Sequence, residues 1–186
     1  MKREIIIAGF GGQGVMSIGK NLVEAGMHEN YHVSWAPSYG PEMRGGTANC
    51  SVVLSDLPIG SPIFSYPMDL IAMNGPSLMR FAKKVRPGGL ILASEEALPP
   101  EAPMPEYPEV RVLRVPCKRI AEEAGESRAA NMVMVGAYVA ASGLLRAESV
   151  EHIIREMFAG KKEALIPVNI EAMKRGMRFV EEAFDK

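Results

Sequence analysis

The chain opens with an apolar strand that stops at a cluster of glycines. Residues 5–19 read IIIAGFGGQGVMSIG, and positions with helical spacing follow the glycines. A continuous β-branched run of this kind is typical of a strand buried on both faces of a parallel sheet. Gly9, Gly11 and Gly14 fit the spacing G-x-G-x-x-G, in which a strand turns tightly into a helix whose first N–H groups can bind phosphate. The segment therefore predicts a β-turn-α unit of the nucleotide-binding type.

Strands and helices alternate along the rest of the chain. Strands are predicted at 31–36, 47–56, 69–74, 90–94 and 110–115. Helices are predicted after Pro76, at 117–127, 129–145 and 148–158, and from an N-cap at Asn169 to Phe184. This alternation predicts an α/β fold, a three-layer, mostly parallel, doubly wound (Rossmann-like) sheet with helices on both faces. With 186 residues and no internal repeat or linker, we expect a single domain, 1–186.

Composition excludes several classes of function. The formal charge of −1 gives no electrostatic reason to expect nucleic acid or an anionic membrane as a partner. No apolar run approaches a bilayer span or a signal peptide, so a cytoplasmic location is expected. The two cysteines, Cys50 and Cys117, are too few for an iron–sulfur cluster or a Cys-only zinc site, and we expect buried thiols. The histidines, His28, His32 and His152, show no metal-ligand spacing.

The glycine turn lacks a partner that NAD sites need. A dinucleotide site places an Asp or Glu at the end of the second strand, where it holds the ribose hydroxyls. Here that strand reads Val33-Ser34-Trp35-Ala36-Pro37, without a carboxylate, and the pair Gly12-Gln13 is unusual for a dehydrogenase turn. A turn that serves only packing is a serious alternative, and a generic NAD enzyme is the least favoured interpretation.

A second glycine-rich segment follows the second strand. It reads SYGPEMRGGT from Ser38 to Thr47, and in a doubly wound sheet it should face the same crevice as the glycine turn. Arg44, close to two glycines, could hold a phosphate or carboxylate through two hydrogen bonds, or pair with Glu42 within the loop. The sequence contains no spacing typical of a catalytic triad, a Walker lysine or paired catalytic carboxylates. It therefore predicts a binding apparatus without a reaction centre.

The two glycine-rich segments, in this order and at this spacing, match one protein family more specifically than either segment does alone. G-F-G-G-Q-G-V followed by S-Y-G-P-E-M-R-G-G-T-A-N-C resembles the gamma subunit of 2-oxoacid:ferredoxin oxidoreductases, and most of all the 2-oxoglutarate (ketoglutarate) type. In pyruvate:ferredoxin oxidoreductase the same unit is an internal domain. The resemblance extends over essentially the whole chain, including SDLPIGSP at 55–62, the helix with Asn131 and the PVN sequence at 167–169.

The resemblance implies a role within a larger enzyme. The family oxidatively decarboxylates a 2-oxoacid with CoA to acyl-CoA, CO2 and reduced ferredoxin. It implies alpha and beta subunits with thiamine diphosphate between them, iron–sulfur clusters in the beta subunit or a delta subunit, and ferredoxin as an indirect partner. This chain would hold no cofactor and no catalytic residue of its own, and would be inactive alone, with CoA as its ligand. The predicted ligand-binding residues are Gly9, Gly11, Gly12, Gln13, Gly14, Ser38, Tyr39, Gly40, Arg44, Gly45 and Gly46.

Three alternatives stay open. The small subunit of indolepyruvate:ferredoxin oxidoreductase shares the glycine turn and is the nearest alternative within the family. A stand-alone nucleotide-binding oxidoreductase belongs to a different class, and a purely structural subunit would bind nothing at the turn. The isolated chain is also expected to form homo-oligomers through surfaces, rich in Met, that would otherwise contact its partners.

Overall fold

A computed structural model describes residues 1–40, 46–100, 102–103, 106–160 and 162–184. Six strands lie at Lys2–Phe10 (β1), His32–Tyr39 (β2), Thr47–Ser55 (β3), Asp69–Ala72 (β4), Leu90–Ser94 (β5) and Arg111–Val115 (β6). Six α-helices lie at Val15–His28 (α1), Gly75–Phe81 (α2), Cys117–Ala124 (α3), Ala130–Ser142 (α4), Ala147–Phe158 (α5) and Ile166–Phe184 (α6).

The six strands form one sheet in the order β2-β3-β1-β4-β5-β6. The pairings β1–β4, β4–β5 and β5–β6 are parallel, whereas β3 is antiparallel to both of its neighbours, β1 and β2. Five strands therefore point the same way and only β3 is reversed. The predicted α/β class with a mostly parallel sheet is confirmed, with one antiparallel strand inserted beside β1.

Strand β2 is longer than the sequence pattern predicted. It continues through Pro37 to Tyr39, where irregular structure was expected. The Gly40 N–H donates to the Thr47 carbonyl of β3. In an antiparallel pair, the backbone N–H groups of alternate residues point toward the neighbouring strand, so the backbone N of Pro37, three residues earlier, points away from β3. Because β2 is an edge strand, the N–H that proline lacks is not needed by the ladder. The proline therefore ends neither the strand nor its pairing.

The two faces of the sheet are covered unequally. One face packs against α1 and α3–α6 through a large apolar cluster that contains Ile5 and Ile7 of β1. The other face carries a smaller cluster in which Ile6 and Ala8 meet α2 and its continuation. Successive residues of β1 thus point to opposite faces and both are buried, which explains the unbroken apolar run.

Helices α4 and α6 cross at close range. An added Cβ at Gly136 would lie 1.9 Å from the Met173 carbonyl oxygen, and one at Gly176 would lie 2.1 Å from that of Val133. Only glycine permits this approach.

The predicted N-cap at Asn169 is wrong: α6 already begins at Ile166, and the Asn169 amide donates to the Leu165 carbonyl at 2.8 Å from within the helix. Pro167 suits a first helical turn because no N–H is needed there, so the helix starts earlier than the cap-like residue suggested.

A buried polar network lies where β4 begins. Asp69 is fully buried and accepts hydrogen bonds from the Tyr138 hydroxyl at 2.7 Å and the Leu90 N–H at 3.1 Å. The Arg3 guanidinium lies 3.0 Å from the same carboxylate. Burial raises the pKa of Asp69, and the bonds from Tyr138 and the charge of Arg3 oppose that rise. We call Arg3, Asp69 and Tyr138 the Asp69 network.

No helix among the described residues combines the length and apolar character needed to cross a membrane.

Candidate functional site

The glycine turn joins β1 to α1 at Gly11–Gly14. Gly12 and Gly14 have φ of +100° and +76°, a left-handed backbone that other residues rarely adopt. Gly9 serves packing instead, because an added Cβ there would lie 2.8 Å from Gln13 Oε1 and 2.9 Å from Met73 Cβ. Gly14 combines a left-handed backbone with close packing, since its added Cβ would lie 2.7 Å from Cβ of Asn131 on α4. The glycines therefore fix a backbone path that the sequence pattern predicted only in outline.

The N-terminus of α1 has no side-chain cap. Gly14 is its N-cap and has no side chain to cap the helix, and the first turn contains no acidic residue. The N–H groups of the first helical turn have no intrahelical acceptor, and the helix dipole places partial positive charge there. A phosphate or carboxylate at this position would satisfy groups that the described residues leave open.

The second predicted segment meets the glycine turn directly. The Gly11 N–H donates to the Gly46 carbonyl at 3.0 Å, so the end of the 38–47 segment lies against the turn. Tyr39, at the end of β2, is 51% exposed and shares a cavity with the turn. Ser38 points to the opposite face of β2 because side chains alternate along a strand.

Two of the predicted residues, Arg44 and Gly45, lie outside the described residues.

A cavity of about 310 Å³ opens at the start of α1, and we call it the Tyr39 cavity. Its lining comprises Phe10, Gly11, Gly12, Gly14, Val15, Met16, Ser17, Tyr39 and Ala48. The lining thus combines the glycine turn and the first turn of α1 with two aromatic residues, Phe10 and Tyr39. Tyr39 contributes an aromatic ring and a hydroxyl to this lining.

Gln13 turns its side chain away from the Tyr39 cavity. Its Oε1 accepts hydrogen bonds from the Phe10 N–H at 2.7 Å and from the Asn74 amide at 3.0 Å. Its Nε2 donates to the Met73 carbonyl at 3.0 Å. Asn74 in turn caps α2 by accepting from the Ser77 N–H. Gln13 therefore ties the glycine turn to the end of β4 and the start of α2.

A second cavity, of about 280 Å³, lies on the other side of the turn, and we call it the Lys118 cavity. It is lined by Gly12, Gln13, Gly14, Met73, Ser94, Glu96, Cys117, Lys118, Ser127, Arg128, Ala130 and Asn131. Its cations have acidic neighbours: Lys118 Nζ is 3.6 Å from Glu96 and Arg128 Nε is 3.2 Å from Glu126. These pairings keep the cavity from being strongly positive.

Sequence reasoning missed most of the Lys118 cavity. Ser94 ends β5, Cys117 follows β6, and Asn131 lies in the first turn of α4, where its amide donates to Ser17 Oγ at 3.1 Å. The one available signal was position: residues that follow parallel strands meet at the same edge of the sheet. No short motif marks them, because they come from three separate segments of the chain: the end of β5, the start of α3 and the start of α4.

Neither cysteine is suited to nucleophilic chemistry. Both are buried, as predicted. Burial raises the pKa of Cys50 to about 11 and also raises the pKa of Cys117, whose sulfur lies 3.1 Å from Ser94 Oγ. Both therefore stay thiols at neutral pH, whereas the thiolate is the reactive form. Among the described residues, no group of three or more His, Cys, Asp or Glu side chains is arranged to hold a metal ion.

The chain is similar to a known protein family and to several characterised relatives. The family model described as pyruvate ferredoxin/flavodoxin oxidoreductase matches residues 4–179. The ketoisovalerate oxidoreductase subunit VorA of Methanothermobacter marburgensis is 43% identical over 171 residues, covering 91% of this chain but 35% of that protein. The 2-oxoglutarate synthase subunit KorC of the same organism is 34% identical and is covered, like this chain, to 98%. The chain thus spans about a third of VorA and nearly all of KorC.

A solved structure shares the fold. The 2-oxoglutarate:ferredoxin oxidoreductase of Magnetococcus marinus, determined with 2-oxoglutarate, coenzyme A and succinyl-CoA bound, superposes with a TM-score of 0.85 at 23% identity. The match covers 97% of this chain and 31% of that one. Since the family model spans nearly the whole chain and KorC matches it from end to end, the chain belongs to the pyruvate ferredoxin/flavodoxin oxidoreductase family.

Proposed function

We propose that this chain is the gamma-type unit of a 2-oxoacid:ferredoxin oxidoreductase. The family match over residues 4–179 is the observation that carries the proposal. In that role residues 1–186 act as one gamma-type domain beside alpha and beta chains, which hold thiamine diphosphate and iron–sulfur clusters. The whole enzyme would convert a 2-oxoacid and CoA into acyl-CoA and CO2 and pass electrons to ferredoxin. The predicted cytoplasmic location and self-association of the isolated chain stay predictions.

Within that enzyme, the glycine turn would bind an anionic part of CoA. The open N–H groups at the start of α1, the left-handed backbone at Gly12 and the Tyr39 cavity beside them support this assignment. Phosphate is one of the anions that helix N-termini commonly bind. Arg44, which follows β2 by a few residues, would add a charge-assisted contact from the loop. Lys118 and Arg128 would flank the ligand from the second cavity.

Relatives named for two different 2-oxoacids bear on the substrate. The resemblance favoured the 2-oxoglutarate type, and KorC carries that activity in its name. The VorA relatives, named for ketoisovalerate, are 43% identical to this chain against 34–35% for the KorC relatives. Ketoisovalerate is therefore the second candidate substrate. A panel of 2-oxoacids with the assembled enzyme decides between the two.

Affinity purification of this chain from its native source tests the proposal. We expect chains that bind thiamine diphosphate and iron–sulfur clusters to accompany it, together with CoA-dependent oxidation of a 2-oxoacid. The isolated chain should be colourless and inactive, and calorimetry should detect no micromolar binding of NAD. Recovery of the chain alone, with NAD binding or with dye reduction in the absence of any partner, would favour a stand-alone nucleotide-binding oxidoreductase instead.

A further inference from the structure

Gln13, the only glutamine in the chain, occupies a special point of the sheet. From β1 the chain crosses by α1 toward β2 on one side, and from β4 it crosses by α2 toward β5 on the other. The gap between the ends of β1 and β4 is therefore the topological switch point, where open α/β sheets bind their ligands. The Gln13 amide bridges this gap, from Phe10 N–H on β1 to the Met73 carbonyl just after β4.

The Gln13 amide is tightly packed and fully hydrogen-bonded at its oxygen. Gln13 Oε1 lies 2.8 Å from where a Cβ on Gly9 would stand, so the amide is pressed against the end of β1. Its oxygen accepts two hydrogen bonds and its nitrogen donates one, all between 2.7 and 3.0 Å. Gln13 directly precedes Gly14, the N-cap of α1, so these bonds hold the glycine turn in place next to the start of that helix. The orientation of the open N–H groups of α1 depends on this residue.

We propose that Gln13 is a positioning residue that sets which ligand the glycine turn accepts. Its amide fills the crevice between β1 and β4, which a bridging dinucleotide would need, and holds the turn so that the N–H groups of α1 face the Tyr39 cavity. Asn74 shares this role because it donates to Gln13 and belongs to the lining of neither cavity. The inference rests on the proposed CoA-binding function.

A double-mutant cycle in the assembled enzyme tests the proposal. Gln13→Ala, Asn74→Ala and the double variant are compared for the KM of CoA and for kcat. We expect Gln13→Ala to raise KM about tenfold with kcat within about twofold, Asn74→Ala to raise KM less, and the double variant to be no worse than Gln13→Ala, since neighbours in one network are not additive. Hydrogen exchange at the Phe10 amide should quicken in the variants that lack the glutamine.

Asn169→Ala is the matched control for lost stability. It removes the 2.8 Å hydrogen bond from the Asn169 amide to the carbonyl of Leu165, the residue that precedes α6. Gly136 meets Met173 and Gly176 meets Val133, so α6 runs antiparallel to α4, and Asn169 lies toward the end of α4 remote from the turn. We expect this variant to unfold at lower temperature with an unchanged KM for CoA.

The outcomes separate this inference from the proposed function. A normal KM in Asn74→Ala, with a raised KM in Gln13→Ala, would mean that Gln13 contacts the ligand directly and would overturn the positioning role. A normal KM in Gln13→Ala together with a raised KM in Gly12→Val would overturn the inference and leave CoA binding at the turn in place. If all of these variants bind CoA normally, the CoA assignment fails and the role of Gln13 fails with it.

Discussion

Polar groups are buried and paired at one end of the parallel strands, whereas at the other end some of them lack a side-chain partner. At the end where β4 begins, the Asp69 network is buried and each member has a partner: the carboxylate receives Tyr138, Arg3 and the Leu90 N–H. At the other end, the first N–H groups of α1 have no side-chain cap, and two cavities border the turn. Closed networks contribute stability, whereas open donors beside a cavity can bind a ligand. The comparison therefore supports a structural role for one end and the binding role proposed for the other.

The largest effect is expected at the closed end. Asp69→Ala leaves the Tyr138 hydroxyl, the Leu90 N–H and the Arg3 guanidinium without their shared acceptor, which should lower the free energy of unfolding by about 3–5 kcal/mol. Urea denaturation measures the loss. Asp56→Ala is the control, because its pairing with the N-terminus is exposed and should contribute little. Equal stability of the two variants would show that the Asp69 network is not what holds this end together.

The next effect is expected at the open end and in binding rather than stability. Arg44→Ala should leave the fold intact and raise the KM for CoA, or loosen subunit association, by about ten- to a hundredfold, which corresponds to about 1.5–3 kcal/mol for a charge-assisted contact. Gly11→Val should act in the same direction, because its side chain would obstruct close approach of a ligand to the backbone of the turn; Gly11 is not among the glycines with positive φ, so left-handed strain adds nothing to the effect. Steady-state kinetics and size-exclusion chromatography of the assembled enzyme measure both. Normal kinetics and assembly in both variants would leave the turn with a packing role only.

The difference between the ends could be predicted only in part from the sequence. The glycine spacing and the apolar run at 4–8 define β1, the turn and α1, because both depend on local backbone geometry. The antiparallel insertion of β3 could not be predicted, since periodicity reports which face of a strand is buried and not the direction of its neighbour. Asp69, one acid at the start of a strand, gave no signal of its partner Tyr138, which lies 69 residues away.

Gln13 shows a different limit of sequence reasoning. Its place inside the turn predicts a ligand contact, which stays a prediction; in the structure its amide bonds to Phe10, Met73 and Asn74. The composition of a turn reveals which backbone conformations are allowed, but a side chain that can bind phosphate can equally bind the protein's own backbone. Only the position of β4 beside β1, a long-range feature, distinguishes the two.

A smaller effect separates strain from contact within the turn. Gly14→Ala places a Cβ 2.7 Å from Asn131 Cβ at a φ of +76°, and the strain should lower the free energy of unfolding by about 1–3 kcal/mol. Gly143→Ala is the matched control: its φ is +61°, at the end of α4, but no atom lies within 4 Å of the added Cβ. Thermal unfolding should therefore show a larger loss at Gly14. An equal loss in both variants would mean that the approach of α4 to the turn is not tight.

The smallest effect is a dependence of stability on pH at the closed end. Because burial raises the pKa of Asp69 in the folded chain above 3.8, the folded state keeps its proton to a higher pH than the unfolded state does. The contribution of Asp69 to stability is thus greatest below pH 3.8 and declines as pH rises through the folded pKa, by about 1.4 kcal/mol for each pKa unit of the shift. Asn cannot titrate, so the free energy of unfolding of the wild type minus that of Asp69→Asn should fall as pH rises through this window and then stay constant. The difference cancels the contributions of Glu126 and Glu171, whose pKa values are lowered and whose stabilisation is instead lost as pH falls. Urea titrations of both proteins across the acid range measure it, and a difference that grows with pH would mean that Arg3 and Tyr138 outweigh burial and hold the carboxylate ionised.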